Sequence, residues 1–181
     1  MATSRKKAAA KDEPRERLAP PDREEVERTA RTPGMNKVEA RGRSRALQAL
    51  YAWDMRSGED LPRVAALVWD DLVVPPEERE FAGWLIHTVA AERTRLDEEL
   101  AEVTANWRLE RLGAIERSVL RLAAAELRRG QTPPKVVIQE AVRLAERYGS
   151  ERSAKFVNGV VDALARRMGA IEGRRPPRGT R

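Results

Sequence analysis

The sequence contains no cysteine and only one histidine, and these absences exclude several kinds of chemistry. Without cysteine there is no disulfide, no thiolate nucleophile and no cysteine-based metal site, as is common in a reducing cytoplasm. The single histidine, His87, cannot build a histidine-rich metal site, and a lone helical histidine is seldom catalytic. The sequence also lacks a phosphate-binding glycine loop, a dinucleotide fingerprint and a zinc-protease motif. We therefore predict that the protein is not an enzyme and uses no cofactor or metal.

Long apolar runs are missing as well. No segment approaches the roughly 20 apolar residues that a membrane-spanning helix needs. The N-terminus, MATSRKKAAAKDEP, has no apolar core of the kind that signal peptides carry, and its acidic residues argue against an organellar transit peptide. These features predict a soluble, cytoplasmic protein.

The formal net charge of +6 is distributed unevenly along the chain. Residues 37–56 carry a net charge of +3 and residues 106–169 carry +6. Residues 57–105, with 4 basic and 12 acidic side chains, carry −8. Segregated charge of this kind suggests two different partners, a polyanion at the basic ends and a basic protein at the acidic middle.

The two ends of the chain have the composition of disordered segments. Residues 1–36 contain four prolines, mixed charges and few large aliphatic residues, and residues 170–181 are similar. Such segments bury too little apolar surface to offset the entropy lost on ordering. We therefore predict one folded domain over residues 37–169, between a disordered N-terminal extension and a disordered basic tail.

Within this domain apolar residues recur at spacings of three and four, and no strand-like alternation occurs, so we predict an all-α fold of about seven helices. The fifth helix is apolar on two sides, which is typical of a central, buried helix. The expected helices cover about Asn36 to Met55, Leu61 to Leu72, Pro76 through Val89, Thr94 to Thr104, Leu112 to Arg128, Lys135 to Tyr148, and a last helix through Ala154 to Met168.

A tight turn separates the last two helices. Gly149 follows the last apolar residue of one helix, where we expect a left-handed C-terminal cap. Ser150 or Ser153 can cap the start of the next helix.

On the last helix, Arg152, Lys155 and Gly159 point away from the apolar stripe, and Phe156 falls at its border. A basic face with an aromatic ring at its margin could hold a nucleotide, because the ring would stack on a base and the cations would meet phosphates. A solvated basic face with Phe156 packed on a neighbouring helix explains the same pattern, and these residues alone favour that second interpretation.

The first helix carries a second basic stripe. Its members recur at spacings of four, four, three and three: Lys37, Arg41, Arg45, Gln48 and Tyr51. Arg43 points to another side and could reach a phosphate near the helix start. An ordinary solvated face with Tyr51 half-buried is the alternative. Tyr51 and Phe156 both border basic stripes in a chain with only 4% aromatic residues, and this favours RNA binding.

Three blocks of the sequence, in the same order, resemble the NusB family of bacterial transcription antitermination factors. They are the segments RALQALYAW from Arg45, LGAIERSVLRL from Leu112 and KFVNGV from Lys155. The resemblance extends from Lys37 to about Met168. The sequence departs from the family at Gln139, where asparagine is common, and at Arg152, where an acidic or polar residue is common.

The resemblance implies a fold of two small helical bundles packed across each other. It also implies binding of single-stranded boxA leader RNA together with NusE, a small-subunit ribosomal protein, within an RNA-polymerase antitermination complex. The RNA-contacting residues it implies are Arg41, Arg43, Arg45, Gln48, Tyr51, Lys155, Phe156 and Asn158, to which the charge pattern adds Lys37 and Arg152. The side chain of Asn158 could equally form a hydrogen bond with the backbone of the nearby turn. Glu116 is the best candidate for the NusE contact.

Two other functions stay open at this point. A NusB-like module also begins certain RNA cytosine methyltransferases, but this sequence has no catalytic cysteine and no cofactor-binding domain after the helical region. The last two helices could instead form a helix-turn-helix of a DNA-binding regulator. Base-reading side chains would then be needed at the start of the last helix, and residues 150–153 are only weakly suggestive.

Overall fold

The computed structural model describes residues 37–56, 58–104 and 108–171, and these residues form six α-helices and one 3₁₀ turn, with no strand among them. The all-α prediction is confirmed. The predictions for residues 1–36 and for most of the C-terminal tail lie outside the described residues. The elements are α1 (Lys37–Asp54), α2 (Leu61–Asp71), α3 (Pro76–Val103), the 3₁₀ turn (Leu109–Arg111), α4 (Ala114–Arg129), α5 (Pro134–Tyr148) and α6 (Glu151–Arg167).

The helices form two small bundles. Helices α1, α2 and α3 pack on one another, and α4, α5 and α6 do the same. The bundles join where α4 packs against α1 and α3. None of the described helices is both long enough and apolar enough to cross a membrane.

The predicted third and fourth helices form one continuous element, α3, with a kink between them. Its 28 residues are continuous except at Glu92, whose φ of −115° and ψ of 17° are not helical. No proline or glycine interrupts the chain there, so the helical path resumes after the kink. Leu96 and Leu100 then continue the buried side of the helix, and both are completely buried.

Helix α4 is the centre of the fold, as its two apolar sides predicted. All ten residues from Ser118 to Leu127 are buried, and α4 contacts α1, α3, α5 and α6. Leu120 is completely inaccessible to solvent, and burial of such a side chain contributes about 1.5–3 kcal/mol. Because α4 is fixed by the core on all sides, its first turn is a rigid support for the neighbouring ends of α1 and α6.

The turn between α5 and α6 differs from the prediction in one respect. Gly149 has φ −115° and ψ −123°, so it is not a left-handed cap. Glycine is needed there for space, since an added Cβ would lie 2.8 Å from the carbonyl oxygen of Ala145. Ser150, one of the two predicted candidates, caps α6: its side chain accepts from the backbone N–H of Ser153, and the hydroxyl oxygen of Ser153 accepts from the backbone N–H of Ser150.

Candidate nucleic-acid interface

The basic stripe predicted on the first helix lies on the accessible side of α1. Lys37 and Tyr51 are exposed, and Arg41, Arg45 and Gln48 are partly exposed. Tyr51 retains 41% of its accessible surface, so its ring is accessible to a ligand. The stripe therefore presents cations, one amide and one aromatic ring to solvent along a single helix.

The two arginines in the middle of this stripe are held by one buried carboxylate. Arg45 Nε donates to Glu78 Oε2 at 2.9 Å, and Arg41 Nη1 lies 3.6 Å from Glu78 Oε1. Arg45 Nη1 also donates to Gln48 Oε1 at 3.2 Å. The sequence did not point to Glu78 as a site residue. A carboxylate in the first turn of a helix is favoured by the helix dipole alone, so its presence there does not indicate a role in binding.

The prediction that Arg43 contacts RNA is contradicted by its position. Only 2% of its side chain is exposed, and its Nε donates to Glu126 Oε2 at 2.9 Å while Nη2 pairs with the other oxygen. Arg43 Nη1 lies 3.8 Å from Glu140 Oε2, which is also buried. The guanidinium stacks on the ring of Phe81, 4.9 Å from its centroid. Arg43 therefore links α1 to α3, α4 and α5 and cannot reach a ligand in solution.

The second predicted face is on α6. Arg152, Lys155, Asn158 and Gly159 are exposed, and Phe156 is partly buried against the core. The space beside Gly159 is open, since an added Cβ would meet nothing within 4 Å. Asn158 makes no side-chain hydrogen bond with the described residues, so the alternative in which it bonds turn backbone finds no support. A ligand can thus approach all the polar members of this face.

Glu116 ties the start of α4 to the start of α6. Its carboxylate accepts a hydrogen bond from the hydroxyl of Ser153, and Glu116 is only partly exposed. Ser153 is buried, with 6% of its surface accessible. A helix-turn-helix would need side chains at the start of its recognition helix to read bases. Ser153 is buried and hydrogen-bonded to Glu116, so it cannot read bases. The DNA-binding alternative therefore loses one of its four candidate residues, 150–153.

An ion pair between α4 and α1, together with the Glu116–Ser153 hydrogen bond, brings the two basic faces to the same end of α4. Arg117 Nη2 donates to both carboxylate oxygens of Asp54, at 2.7 and 2.6 Å. Asp54 is the last residue of α1, one turn beyond Tyr51, and Arg117 directly follows Glu116. The end of α1 that carries Tyr51 and the start of α6 that carries Arg152 and Lys155 therefore both dock on the first turn of α4.

The acidic middle of the chain is largely on the surface. Exposed carboxylates cover the α1–α2 turn, the end of α2 and the start of α3: Glu59, Asp60, Asp70, Asp71, Glu77 and Glu80. Glu78 is the exception in this region, with 3% exposure. These carboxylates are therefore accessible on the folded surface to a basic partner.

No group of histidine, cysteine and carboxylate residues in the described ranges could hold a metal ion. A groove with a volume of about 1230 Å³ lies between the second half of α3 and the 3₁₀ turn, and it is lined by residues of both charges, including Arg93, Asp97 and Arg108. None of the predicted RNA-binding residues lines this groove. The candidate interface therefore lies outside this groove, on the accessible sides of α1 and α6.

The fold and this surface define an all-helical protein of two three-helix bundles with a basic, aromatic-bordered face. Residues 40–166 match the model of the NusB family. A transcription antitermination protein NusB of Sorangium cellulosum is 43% identical over 132 residues, covering 72% of this chain and 94% of that protein. Another from Anaeromyxobacter dehalogenans is 44% identical over 134 residues, covering 72% and 92%. The chain belongs to the NusB family.

Solved structures agree with this assignment. A chain in the crystal structure of the antitermination factors NusB and NusE in complex with double-stranded RNA superposes with a TM-score of 0.68 at 30% identity. The superposition covers 74% of the present chain and 99% of that chain. The two-bundle fold implied by the sequence resemblance is thereby confirmed.

Proposed function

We propose that this protein is a transcription antitermination factor that binds boxA-type single-stranded leader RNA together with the ribosomal protein NusE. In this role it joins an RNA-polymerase antitermination complex and promotes processive transcription of ribosomal RNA operons. It acts by binding and not by catalysis, in the cytoplasm where bacterial transcription takes place. The observation that carries the proposal is the pair of basic faces on a NusB fold, each bordered by a partly accessible aromatic ring.

In the proposed complex both basic faces contact RNA. Cations on α1 and α6 neutralise phosphates, which supplies most of the sequence-independent affinity. The rings of Tyr51 and Phe156 stack on bases, and the amides of Gln48 and Asn158 hydrogen-bond to base edges. Arg43 is not one of these cations, because it is buried and pairs with Glu126. The cations are Lys37, Arg41, Arg45, Arg152 and Lys155.

NusE is proposed to occupy a separate, acidic surface. The exposed carboxylates of α2 and the start of α3 attract a basic protein and speed its association. Glu116 lies at the first turn of α4, where both RNA-facing helices dock. A partner that contacts Glu116 would therefore also lie close to bound RNA, which gives a physical route for one ligand to strengthen binding of the other.

Titration of labelled boxA-type RNA with this protein, alone and with its NusE, tests the proposal. We expect tighter RNA binding in the presence of NusE, and by reciprocity the RNA must tighten NusE binding by the same factor. A scrambled RNA and an RNA duplex of the same length serve as controls, the duplex because the related solved complex contains double-stranded RNA. Equal RNA affinity with and without NusE, or no binary complex by calorimetry at low salt, would contradict the heterodimer.

A further inference from the structure

We propose that Glu78 is a positioning residue for RNA recognition: it fixes Arg41 and Arg45 on the surface of α1 so that they meet RNA in one defined arrangement. The inference rests on the proposed function and deepens it, because it names what determines the specificity of the α1 stripe. Glu78 itself does not contact RNA. Its side chain is only 4% exposed, whereas those of Arg41 and Arg45 are 38% and 27% exposed.

The geometry around Glu78 gives each of its oxygens a different arginine. Oε2 accepts from Arg45 Nε at 2.9 Å, and Oε1 lies 3.6 Å from Arg41 Nη1. Arg41 and Arg45 are one helical turn apart, so a single carboxylate beneath them can hold both. Arginine has five N–H donors in a fixed fork, so a guanidinium held by Glu78 can also donate to an external acceptor.

A close approach of two helices places the carboxylate there. Gly42 lies between the two arginines in the sequence, and a Cβ on it would be 2.9 Å from the ring of Phe81 and 3.2 Å from the carbonyl oxygen of Glu78. A side chain at position 42 would therefore force α1 and α3 apart. Glu78 is also the third residue of α3, where the helix dipole favours a carboxylate. Both features keep Glu78 buried and beneath the stripe.

The same network orients a third member of the stripe. Arg45 Nη1 donates to the side-chain oxygen of Gln48, which leaves the amide nitrogen of Gln48 as the donor for a ligand. Glu78, Arg45 and Gln48 thus form a relay that begins in the interior and ends at the surface. A long side chain that is already fixed loses less conformational entropy on binding, and this raises affinity by roughly 2- to 10-fold per side chain. The gain applies only to an RNA whose acceptors match the fixed arrangement, so it appears as specificity.

The opposite role for Glu78 is physically possible and predicts a different result. If the carboxylate competed with phosphate for the arginines, its removal would strengthen binding of every RNA equally. A positioning role predicts that removal of the charge lowers discrimination between boxA-type and scrambled RNA. The ratio of the two affinities separates these roles, because a change in net charge affects both RNAs alike.

Glu78→Gln is the test variant and Glu77→Gln is its matched control. The two changes alter charge by the same amount at neighbouring positions, but Glu77 is exposed and Glu78 is buried beneath the arginines. Both RNAs are titrated without NusE, so the place of Glu77 on the proposed NusE surface does not enter the comparison. We expect the ratio of affinities for boxA-type and scrambled RNA to fall by roughly 2- to 10-fold in Glu78→Gln and to stay unchanged in Glu77→Gln. Equal ratios in the two variants, or a uniform gain in affinity in Glu78→Gln, would overturn the inference.

Arg45→Lys tests the same relay with Glu78 left in place, should Glu78→Gln fail to fold. Lysine keeps the charge but has one nitrogen, which cannot hold Glu78 and Gln48 and also meet RNA in a fork. We expect a similar loss of discrimination with little change in the salt dependence of binding. Unchanged discrimination in a folded Arg45→Lys protein would contradict the relay.

A measurement without RNA keeps this inference separate from the proposed function. The Arg45 Nε–H should give a resolved NMR signal protected from solvent exchange in the wild-type protein and in Glu77→Gln, and should lose that protection in Glu78→Gln. If wild-type protein showed no preference for boxA-type RNA, the proposed function would fail, and the protected signal would still decide whether Glu78 positions Arg45. An Nε–H that exchanges freely in the wild-type protein would refute the positioning role directly.

Discussion

Truncation of Arg43 to alanine should destabilise the protein far more than truncation of Arg41, two residues earlier on the same helix. Arg43 is 2% exposed and pairs with the buried carboxylates of Glu126 and Glu140. Arg41 is 38% exposed, and its contact with Glu78 is 3.6 Å long. The two changes remove the same side chain from the same element, so burial is the main difference between them.

The magnitude follows from the partners left behind. Removing one partner of a buried ion pair costs about 3–5 kcal/mol, because the other charge stays buried without compensation. Two groups soften the loss: Thr132 still donates to Glu126 at 2.7 Å, and Arg143 still donates to Glu140 at 2.8 Å. We therefore expect a loss near the lower end, about 3 kcal/mol, for Arg43→Ala. For Arg41→Ala we expect about 0–1 kcal/mol, the usual range for an exposed pair.

The loss of stability caused by Arg43→Ala should not depend on pH near neutrality, because Arg43 stays charged there. Burial by itself lowers the pKa of Arg43, but the hydrogen bond to Glu126 and the charges of Glu126, Glu140 and Glu39 raise that pKa above its ordinary value. A group whose pKa is raised on folding stabilises the protein fully below its unfolded pKa and loses that effect only as pH rises through the folded pKa. Arginine titrates far above neutrality, so the loss caused by Arg43→Ala should be constant from about pH 6 to pH 9.

Urea denaturation of both variants and of the wild-type protein, followed by far-UV circular dichroism, gives the two free energies of unfolding. Binding of boxA-type RNA by the folded variants gives the second readout. We expect Arg43→Ala to lose stability and Arg41→Ala to lose RNA affinity. An Arg43→Ala protein that keeps its stability but loses RNA binding would refute this assignment and restore Arg43 to the RNA-contacting set.

Three further outcomes are expected. Arg41→Gln with Lys155→Gln should lower the slope of log affinity against log salt by roughly 0.7 for each lost phosphate contact, while Arg63→Gln, on the acidic side of the molecule, should leave the slope unchanged. Phe156→Ala should cost about 1–3 kcal/mol of RNA binding if the ring stacks on a base; a fall in melting temperature with unchanged RNA affinity would instead assign the ring to packing. Ser150→Ala should lower the free energy of unfolding by about 1 kcal/mol through loss of the α6 cap, and an unchanged urea midpoint would contradict the capping role.

Much of the secondary structure could be predicted because its signals are local. The spacing of apolar residues identified α4 as central, and the cap of α6 was narrowed to Ser150 or Ser153 because capping depends on neighbouring residues. The predicted separation of the third and fourth helices falls at the kink at Glu92, across which α3 continues. Glycine at position 149 was expected because a left-handed cap needs a positive φ. The structure requires glycine there because the backbone lies too close to the carbonyl oxygen of Ala145 for a side chain.

The residues of the candidate site were also predictable from the sequence only in part. Helical spacing alone placed Lys37, Arg41, Arg45, Gln48 and Tyr51 on one side of α1, since residues three or four apart share a face. Spacing also set Arg43 apart from them, yet it could not show whether that other side met solvent or protein. Burial of a charge depends on whether distant segments supply counter-charges, and Glu126 is 83 residues from Arg43 in sequence.

The sequence by itself determined the helices, their apolar sides, the segregation of charge and the family, because each depends on residues close together in the chain or on their order. Tertiary structure alone decided which arginine of α1 is interior and which are exposed, and that one carboxylate from α3 holds two of the exposed ones. It also brought the end of α1 and the start of α6 to the first turn of α4. These features depend on how helices pack, and packing sets both the desolvation of a charge and the distance to its partner.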